Sequence, residues 1–547
     1  MNRILKVFTA CLLSCILFIY SLPAQAENAP NINREQVVAG VANYLPPDIP
    51  LNRETEKELM NQNFPFVQNI FDYISWQSFF GVNWPVDDQK KPLPKITDPG
   101  TPLWATWKES PQVFLPDGSD PSKAAPMPLC ENNPYRKNGK SQDYMRELYA
   151  TSSIFSNTLD KDVVDEVDQA FTSPLYDQNG KEVRYEIFIN DDEYNYIVEN
   201  KLYNLDGQIE FSQNNKKPVN FPAGNFLKNE MGAIELKLAW KELNINDSSL
   251  PHMDIPSRFY TQTVLLPELD SNGEPIIDQT TGKFSKCDQK LVGLVGMHIA
   301  HKTESSPQWI WSTFEHVDNL NVDDSEKVKG RPLYALFHDY SPAGQTLAVN
   351  VPPIPRDVTT GKPSANGIRR TQVSRPIPIP KAKQKLNQKE QQLLAQAGSP
   401  LQYYELIDTQ WPTAPYPTYK GETDKGYAAV QGSPFPDNLP EAITRKSTGS
   451  PAPVYLTNSI METYLQAGNQ IAHFQENGFP FDNTQVFGTE SCMACHFSAG
   501  IATGYLIKQE YANGDGKATP QKTPIFGGDL SADFSWLLQL KANWLKQ

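Results

Sequence analysis

Helical spacing of apolar positions first shows between Phe66 and Phe80, where Val67, Ile70, Phe71, Ile74 and Phe79 repeat every three to four residues. Gly81 is placed to end that helix, and its load of Phe71, Tyr73, Trp76, Phe79 and Phe80 reads as core. The period then changes to two. Val183, Tyr185, Ile187 and Ile189 alternate with polar residues. So do Ile234, Leu236, Leu238 and Trp240, with Glu235, Lys237 and Lys241 on the opposite face. Residues 259–266, 291–300 and 309–317 also read as strands, separated by turn signals such as LDG, DSNG and TTG. Asp270 to Gly273 reads as a plain turn, since the further ligand spacing of a calcium loop is absent. Helical spacing returns at Leu386–Ala397, closed by Gly398. It returns again after a cap at Asn458, with Ile460, Tyr464, Ala467, Ile471 and Phe474 on one face, and over Leu530–Leu545 with Trp536, Leu537, Leu540 and Trp544.

These patterns predict an α+β fold: a β-rich antiparallel domain in the N-terminal and middle chain, then a mainly α-helical C-terminal segment. The divisions are 1–26, an export signal; 27–150, a mixed lead-in carrying the aromatic helix; 151–350, the β-rich domain; 351–400, a Pro-rich linker (VPPIPRD, RPIPIP) with a short helix; and 401–547, the C-terminal segment.

Composition narrows the function. The 547 residues are 39% hydrophobic, enough to build a core, and 46 prolines favour a loop-rich, strand-rich chain over a helical bundle. A net charge of -14 without a basic run interleaved with aromatics argues against nucleic acid as a partner. Arg3 and Lys6, an apolar run from Val7 to Leu22, Pro23 and Ala24-Gln-Ala26 fit a cleaved signal. The expected location is therefore periplasmic or otherwise exported, with membrane tethering as the alternative if the signal stays attached. No later segment is long and apolar enough for an integral span. Of six cysteines, Cys11 and Cys15 leave with the signal. Cys130 and Cys287 are then either a disulfide or two free thiols.

The remaining pair stands in Cys492-Met-Ala-Cys495-His496. A two-residue spacer lets one turn of chain present both thiols to the vinyl groups of a single porphyrin, and a histidine directly after lies under the iron. A zinc site needs two more soft ligands with their own short spacing, and no second Cys-x-x-Cys or His-x-x-x-His exists. A redox dithiol expects the motif between a strand and a helix, whereas FPFDNTQVFGTE before it reads as loop. Haem attachment is the reading the residues favour: Cys492 and Cys495 tether one haem c, and His496 is the proximal iron ligand.

On these residues the chain resembles the c-type cytochromes. More loosely, SWQSFFGVNWP, GAIELKLAWKEL, FYTQTVLLPE, VGMHIAHKT with WIWSTFEHVDN, and NSIMETYLQ resemble an uncharacterised family of large exported bacterial cytochrome c proteins with one haem. That resemblance implies export and haem; it brings no substrate. In the common small-cytochrome pattern a methionine downstream supplies the sixth iron ligand. Here the residues after His496 contain neither Met nor His. The candidates for the distal position are Met461, His473 and His298, or the position is open.

His298 belongs to a cluster with His301, Glu315 and His316 on two strands joined by KTESSPQ. With His301 opposite Trp309, His298 pairs with Ser312, and His298 and His316 share a face about 13 Å apart along the strand. That register builds no metal triad. A phosphate loop, His-Glu-x-x-His and a Gly-x-Ser-x-Gly elbow are absent from the sequence. The expected function is electron transfer through one covalent haem, with a redox partner protein. The alternatives are a haem enzyme, peroxidase-like or another oxidoreductase, with an open sixth position, and a haem-based ligand or redox sensor.

Overall fold

The computed structural model describes residues 41–51, 53–125, 128–140, 144–149, 175–215, 218–268, 275–278, 280–320, 322, 326–340, 347–351, 369–375, 378–412, 456–465, 492–496, 499–511, 518–527 and 531–546. The signal at 1–26, the turn at Asp270 to Gly273, most of the Pro-rich stretch, His473 and the helix face beyond 465 lie outside them. The described chain is a mixture of helices and antiparallel sheet, as an α+β fold requires.

The first helix, α1 (Arg53–Asn83), begins earlier than the apolar spacing predicts. Asn63 breaks it with φ -157 and ψ 77, and its side chain accepts from Phe66 N at 3.3 Å, so Asn63 caps a second helical run with Pro65 in its first turn. Gly81 does not end α1, which runs on to Asn83. It is needed for proximity instead: a Cβ there would stand 2.9 Å from the Tyr44 carbonyl and the Leu45 Cα.

Seven strands form the central sheet: β1 (Lys108–Glu109), β2 (Arg184–Ile189), β3 (Ile234–Glu242), β4 (Thr261–Pro267), β5 (Cys287–His301), β6 (Ile310–His316) and β7 (Tyr404–Gln410). Every pairing is antiparallel. The order is β7-β6-β5-β3-β2-β1, and β4 also pairs with β5. At 15 residues, β5 is long enough to hold β4 against its first half and β6 against its second, on one edge. A bulge at Val295, where Ala239 faces Gly296 and Trp240 faces Leu294, re-aims its side chains between the halves.

One face of the sheet is the main apolar core. Leu236, Leu238, Trp240, Met297, Ile299, Phe314 and Leu406 pack there against Trp76, Phe79 and Phe80 of α1 and Leu386 and Leu394 of α4 (Lys381–Gln396). Phe79 stacks on Phe314 with ring centroids 4.3 Å apart. Trp76 Nε1 donates to Asn387 Oδ1 at 3.1 Å, and Asn387 donates to the Leu406 carbonyl at 2.8 Å, so α1, α4 and β7 are bonded as well as packed. The Lys383 ammonium is buried between Asp72 and Asp408 at the same junction.

The opposite face carries the two helices α2 (Asp191–Glu199) and α3 (Leu205–Asn215) and the described parts of the C-terminal chain. Those parts include α5 (Cys492–His496), the hairpin β8 (Ala502–Tyr511) with β9 (Ala518–Phe526), and α6 (Trp536–Lys541). Met493, Ile501, Phe534, Trp536, Leu537 and Leu540 share one apolar cluster with Ile189, Ala300 and Trp311 of the sheet. The described C-terminal residues thus carry a strand of the main sheet and a hairpin as well as short helices. The helix expected over Leu530–Leu545 forms only at Trp536–Lys541, because Asp533 and Phe534 before it take positive φ of 51° and 70°.

Cys130 and Cys287 form a disulfide, Cα to Cα 5.8 Å, closing a sequence separation of 157 residues at the start of β5. Among the described residues no helix is long and apolar enough to cross a membrane.

Candidate functional site

The candidate site lies on the second face of the sheet, where α5 meets β6. Cys492 and His496 are four residues apart in this turn of helix, hence on the same side of it. Cys495 lies in the same turn, and its side chain is outside the described atoms. Two anchors fix α5. The Met493 amide donates to Gln410 Oε1 at 3.0 Å, on the last residue of β7, and the Met493 side chain is fully buried in the apolar cluster.

The His496 ring is held from both sides. Its Nδ1 donates to the Phe534 carbonyl at 2.7 Å, and its ring lies 4.5 Å, centroid to centroid, from Trp311 of β6. The proton on Nδ1 leaves Nε2 as the nitrogen with a lone pair. Burial pushes the imidazole down to about 4, against the raising effect of the Phe534 bond, with the nearby charges of Lys237 and His298 lowering it further. The imidazole is therefore neutral at pH 7, the form that donates to a metal.

The Phe534 carbonyl is itself placed by a pinned turn. Asp533 Oδ2 accepts from the Phe221 amide at 2.7 Å and from the buried Lys302 ammonium. Ala532 N donates to the Ala499 carbonyl at 3.2 Å, and Gln539 of α6 accepts from Gly500 N at 2.7 Å. These bonds tie the turn before α6 to the chain just after the motif. They hold the left-handed backbone of Asp533 and Phe534 that aims the carbonyl at His496.

Beside Trp311 on the same face stands His298. It faces Thr313 across the β5–β6 ladder, not Ser312. The expected register is off by one residue because Trp309, at φ 69°, belongs to the turn and the ladder starts at Ile310. The shift puts His298 and His316 on opposite faces, so the expected shared face of those two histidines does not form. His316 instead donates from Nε2 to the Arg258 carbonyl at 2.9 Å, and its ring stacks on Phe259. His301 bonds the Met231 carbonyl through Nε2 at 2.6 Å. Both are satisfied core histidines.

His298 has both nitrogens engaged. Nε2 lies 3.0 and 3.2 Å from the two Glu462 oxygens, and Nδ1 bonds the Thr313 hydroxyl. Glu462 also accepts from the Asn458 amide at 2.9 Å and lies 3.7 Å from the Lys237 ammonium of β3. Burial raises the Glu462 carboxyl, but His298, Lys237 and the Asn458 amide outweigh it and hold it below the usual range. The segment bearing Glu462 is docked by β6: Asn458 Nδ2 donates to the Phe314 carbonyl at 3.1 Å, and Arg375 pairs with Glu315 at 2.6 Å while reaching Ser459 Oγ at 3.3 Å.

Of the three distal candidates, Met461 and His298 are among the described residues. Met461 is buried among Ile460, Tyr185, Ala239 and Val295, with its Cε 3.3 Å from where a Gly296 Cβ would be, on the far side of His298 from Trp311. His298 lies close enough to influence His496 electrostatically. His473 is outside the described residues. Trp311, Phe534, Glu462 and Lys237 were not singled out as site residues by the sequence. Only Lys237 carried a signal, as a charge on an alternating strand whose opposite face is core.

The donors are of the kind an iron porphyrin takes. The site offers a neutral imidazole with a fixed tautomer, a cysteine on the same helical side, and a flat aromatic wall at Trp311. Among the described residues no group of three or more His, Cys, Asp or Glu side chains is placed to hold a bare metal ion. A scan against family models, a search of curated proteins and a search of solved structures each returned no match.

Proposed function

We propose that the protein is an exported c-type cytochrome with one haem tethered through Cys492 and Cys495 and bound at His496, and that it transfers electrons to or from a redox partner protein. The observation that carries this reading is the His496 ring: Nδ1 is committed to the Phe534 carbonyl, at the end of a helical turn that begins at Cys492. Bound haem supplies one-electron exchange between ferric and ferrous iron. His496 would hold the iron through Nε2. Trp311 and Phe534 fix the plane of its ring, and Asp533 with Lys302 holds the carbonyl that sets its tautomer. The Cys130–Cys287 disulfide supports the export part of the reading, because such bonds persist in oxidising compartments.

The test is haem that survives denaturing electrophoresis in protein made by a host able to attach it. Wild type should stain for haem, and the Cys492→Ala/Cys495→Ala variant should not. A wild type without haem that contains zinc instead refutes the reading. Absorption spectra of the reduced protein with and without carbon monoxide then separate carrier from enzyme. An unchanged spectrum means a firmly held sixth position and favours the carrier. A shifted spectrum favours a second reading, which His298 supports: an imidazole bonded to a carboxylate beside His496 is equipped for acid–base chemistry at an open iron face.

A further inference from the structure

Toward the other end of β5 from Ala300, the ladder partner of Trp311, a cleft of about 270 Å³ opens between the end of β3, the first half of β5 and the loop after β3. Leu291 in its lining and Ala300 are separated by roughly 30 Å of strand. Two opposite charges stand side by side in the cleft. The Lys290 ammonium lies 3.6 Å from the Glu242 carboxylate, and both reach solvent. Lys181 and Asp247 add a second charge of each sign to the lining, and Leu243, Leu250 and Leu291 add an apolar part.

A buried knot holds these walls. The fully buried Lys241 ammonium lies 2.7 Å from Asp177 and 2.7 Å from Asp254. Asp177 Oδ1 accepts from the Lys181 amide at 2.8 Å and so fixes the turn that bears Lys181. Asp254 Oδ2 accepts from the Asn244 amide at 2.7 Å and closes the neck of the loop that bears Asp247. Asn244 spans that loop, its Oδ1 accepting from the Asp247 amide at 2.9 Å and its Nδ2 donating to the His252 carbonyl at 2.8 Å. Asn179 joins loop to turn, donating to the His252 carbonyl at 2.9 Å and accepting from the His252 amide at 3.0 Å. The Ser249 amide and hydroxyl orient the Asp247 carboxylate, at 2.9 and 2.5 Å. The cleft is thus formed before anything enters it, which spares a ligand the cost of ordering the loop.

We propose that this cleft binds a small zwitterion with an apolar side chain, of the free α-amino acid type. A simple anion or cation would meet a like charge beside the opposite one. An ammonium and a carboxylate on one carbon match the adjacent Glu242 and Lys290, with Asp247 and Lys181 as second partners. The volume lies just under the range of sites for drug-sized ligands, so the occupant is small. Haem at His496 is not required for it.

The experiment is calorimetric titration of the purified full chain with leucine, isoleucine and methionine, each up to about 10 mM. The controls are the N-acetyl form of each, which lacks the ammonium, the amide of each, which lacks the carboxylate, and glycine, which lacks the side chain. At least one of the three amino acids should bind, and each of its controls should bind about tenfold more weakly or worse. Asp247→Asn should narrow the gap between amino acid and N-acetyl form, and Lys181→Met the gap between amino acid and amide. Both side chains reach solvent, so both variants should melt as wild type does. No binding in wild type overturns the proposal. So do affinities that ignore the capping of either charge or the loss of the side chain, and gaps that neither variant narrows.

Discussion

His301 offers a quantitative test of how the sheet is built. It closes β5, is 3% exposed, and bonds the Met231 carbonyl at 2.6 Å. Burial lowers its imidazole from 6.5 to about 4, against the small raising effect of that bond. In the unfolded chain the same ring protonates near its ordinary value. As pH falls below that value, the unfolded state binds a proton that the folded state refuses, so stability is lost with acid and regained with base. The full loss on passing from neutral pH to below about 4 is about 3 kcal/mol, and about 2 kcal/mol of it has gone by pH 5. The perturbation is His301→Gln, which can still donate to Met231 but does not titrate. Urea unfolding of both proteins at about pH 8, 6.5 and 5 gives the difference in stability at each pH. Other titrating groups, including His316, which burial also lowers, are common to both proteins and cancel in the difference. Wild type should be the more stable at pH 8, and its advantage should shrink by about 2 kcal/mol at pH 5. A difference that stays constant to within about 0.5 kcal/mol would show that His301 is not buried as a neutral ring, and the packing of β5 against β3 and β6 would need revision.

Replacing Cys130 and Cys287 with alanine should lower unfolding free energy by up to about 5 kcal/mol on chain-entropy grounds, given the 157-residue separation. The urea midpoint of oxidised wild type should fall to that of the variant on adding reductant. Lys241→Met should cost about 3 to 5 kcal/mol, because it strands Asp177 and Asp254, each 2.7 Å from the buried ammonium. Adding Asp177→Asn and Asp254→Asn should recover most of that loss in the same assay. Phe79→Ala should cost about 3 to 5 kcal/mol, read by thermal or chemical unfolding, since the fully buried ring stacks on Phe314 under the centre of the sheet.

Local periodicity announced the elements with the strongest patterns. The strands expected at 183–189, 234–240, 291–300 and 309–317 form at Arg184–Ile189, Ile234–Glu242, Cys287–His301 and Ile310–His316. The helix expected at Leu386–Ala397 forms as Lys381–Gln396. These signals are legible because each face of an element meets one kind of surroundings. They fail where tertiary context supplies the partner. Lys241 reads as a solvent-facing residue, yet the bulge beside Trp240 and the carboxylates of Asp177 and Asp254 bury it. Tyr404–Gln410 carries little alternation, because β7 is lined by Asp408, Thr409 and Gln410, whose partners come from α1, α4 and α5. Of the candidate site, the motif itself was plain in the sequence. Phe534, Trp311 and Glu462 were not, because a carbonyl donated by a left-handed turn, a ring from a strand and a carboxylate from a distant loop have no shared spacing to betray them.

The bond from Met493 to Gln410 makes the motif an extension of the sheet edge and not a detachable module. Whatever is gripped at His496 is therefore gripped only when the strand carrying Gln410 is in place, and by mass action its binding free energy is felt by every residue that must fold first. Occupancy of the site is thus written into the melting curve of the whole chain. A ligand present at a hundred times its dissociation constant would add about 2.7 kcal/mol to the unfolding of a sheet it barely touches. Searching for that added stability is a way to find what the site holds before any reaction is known.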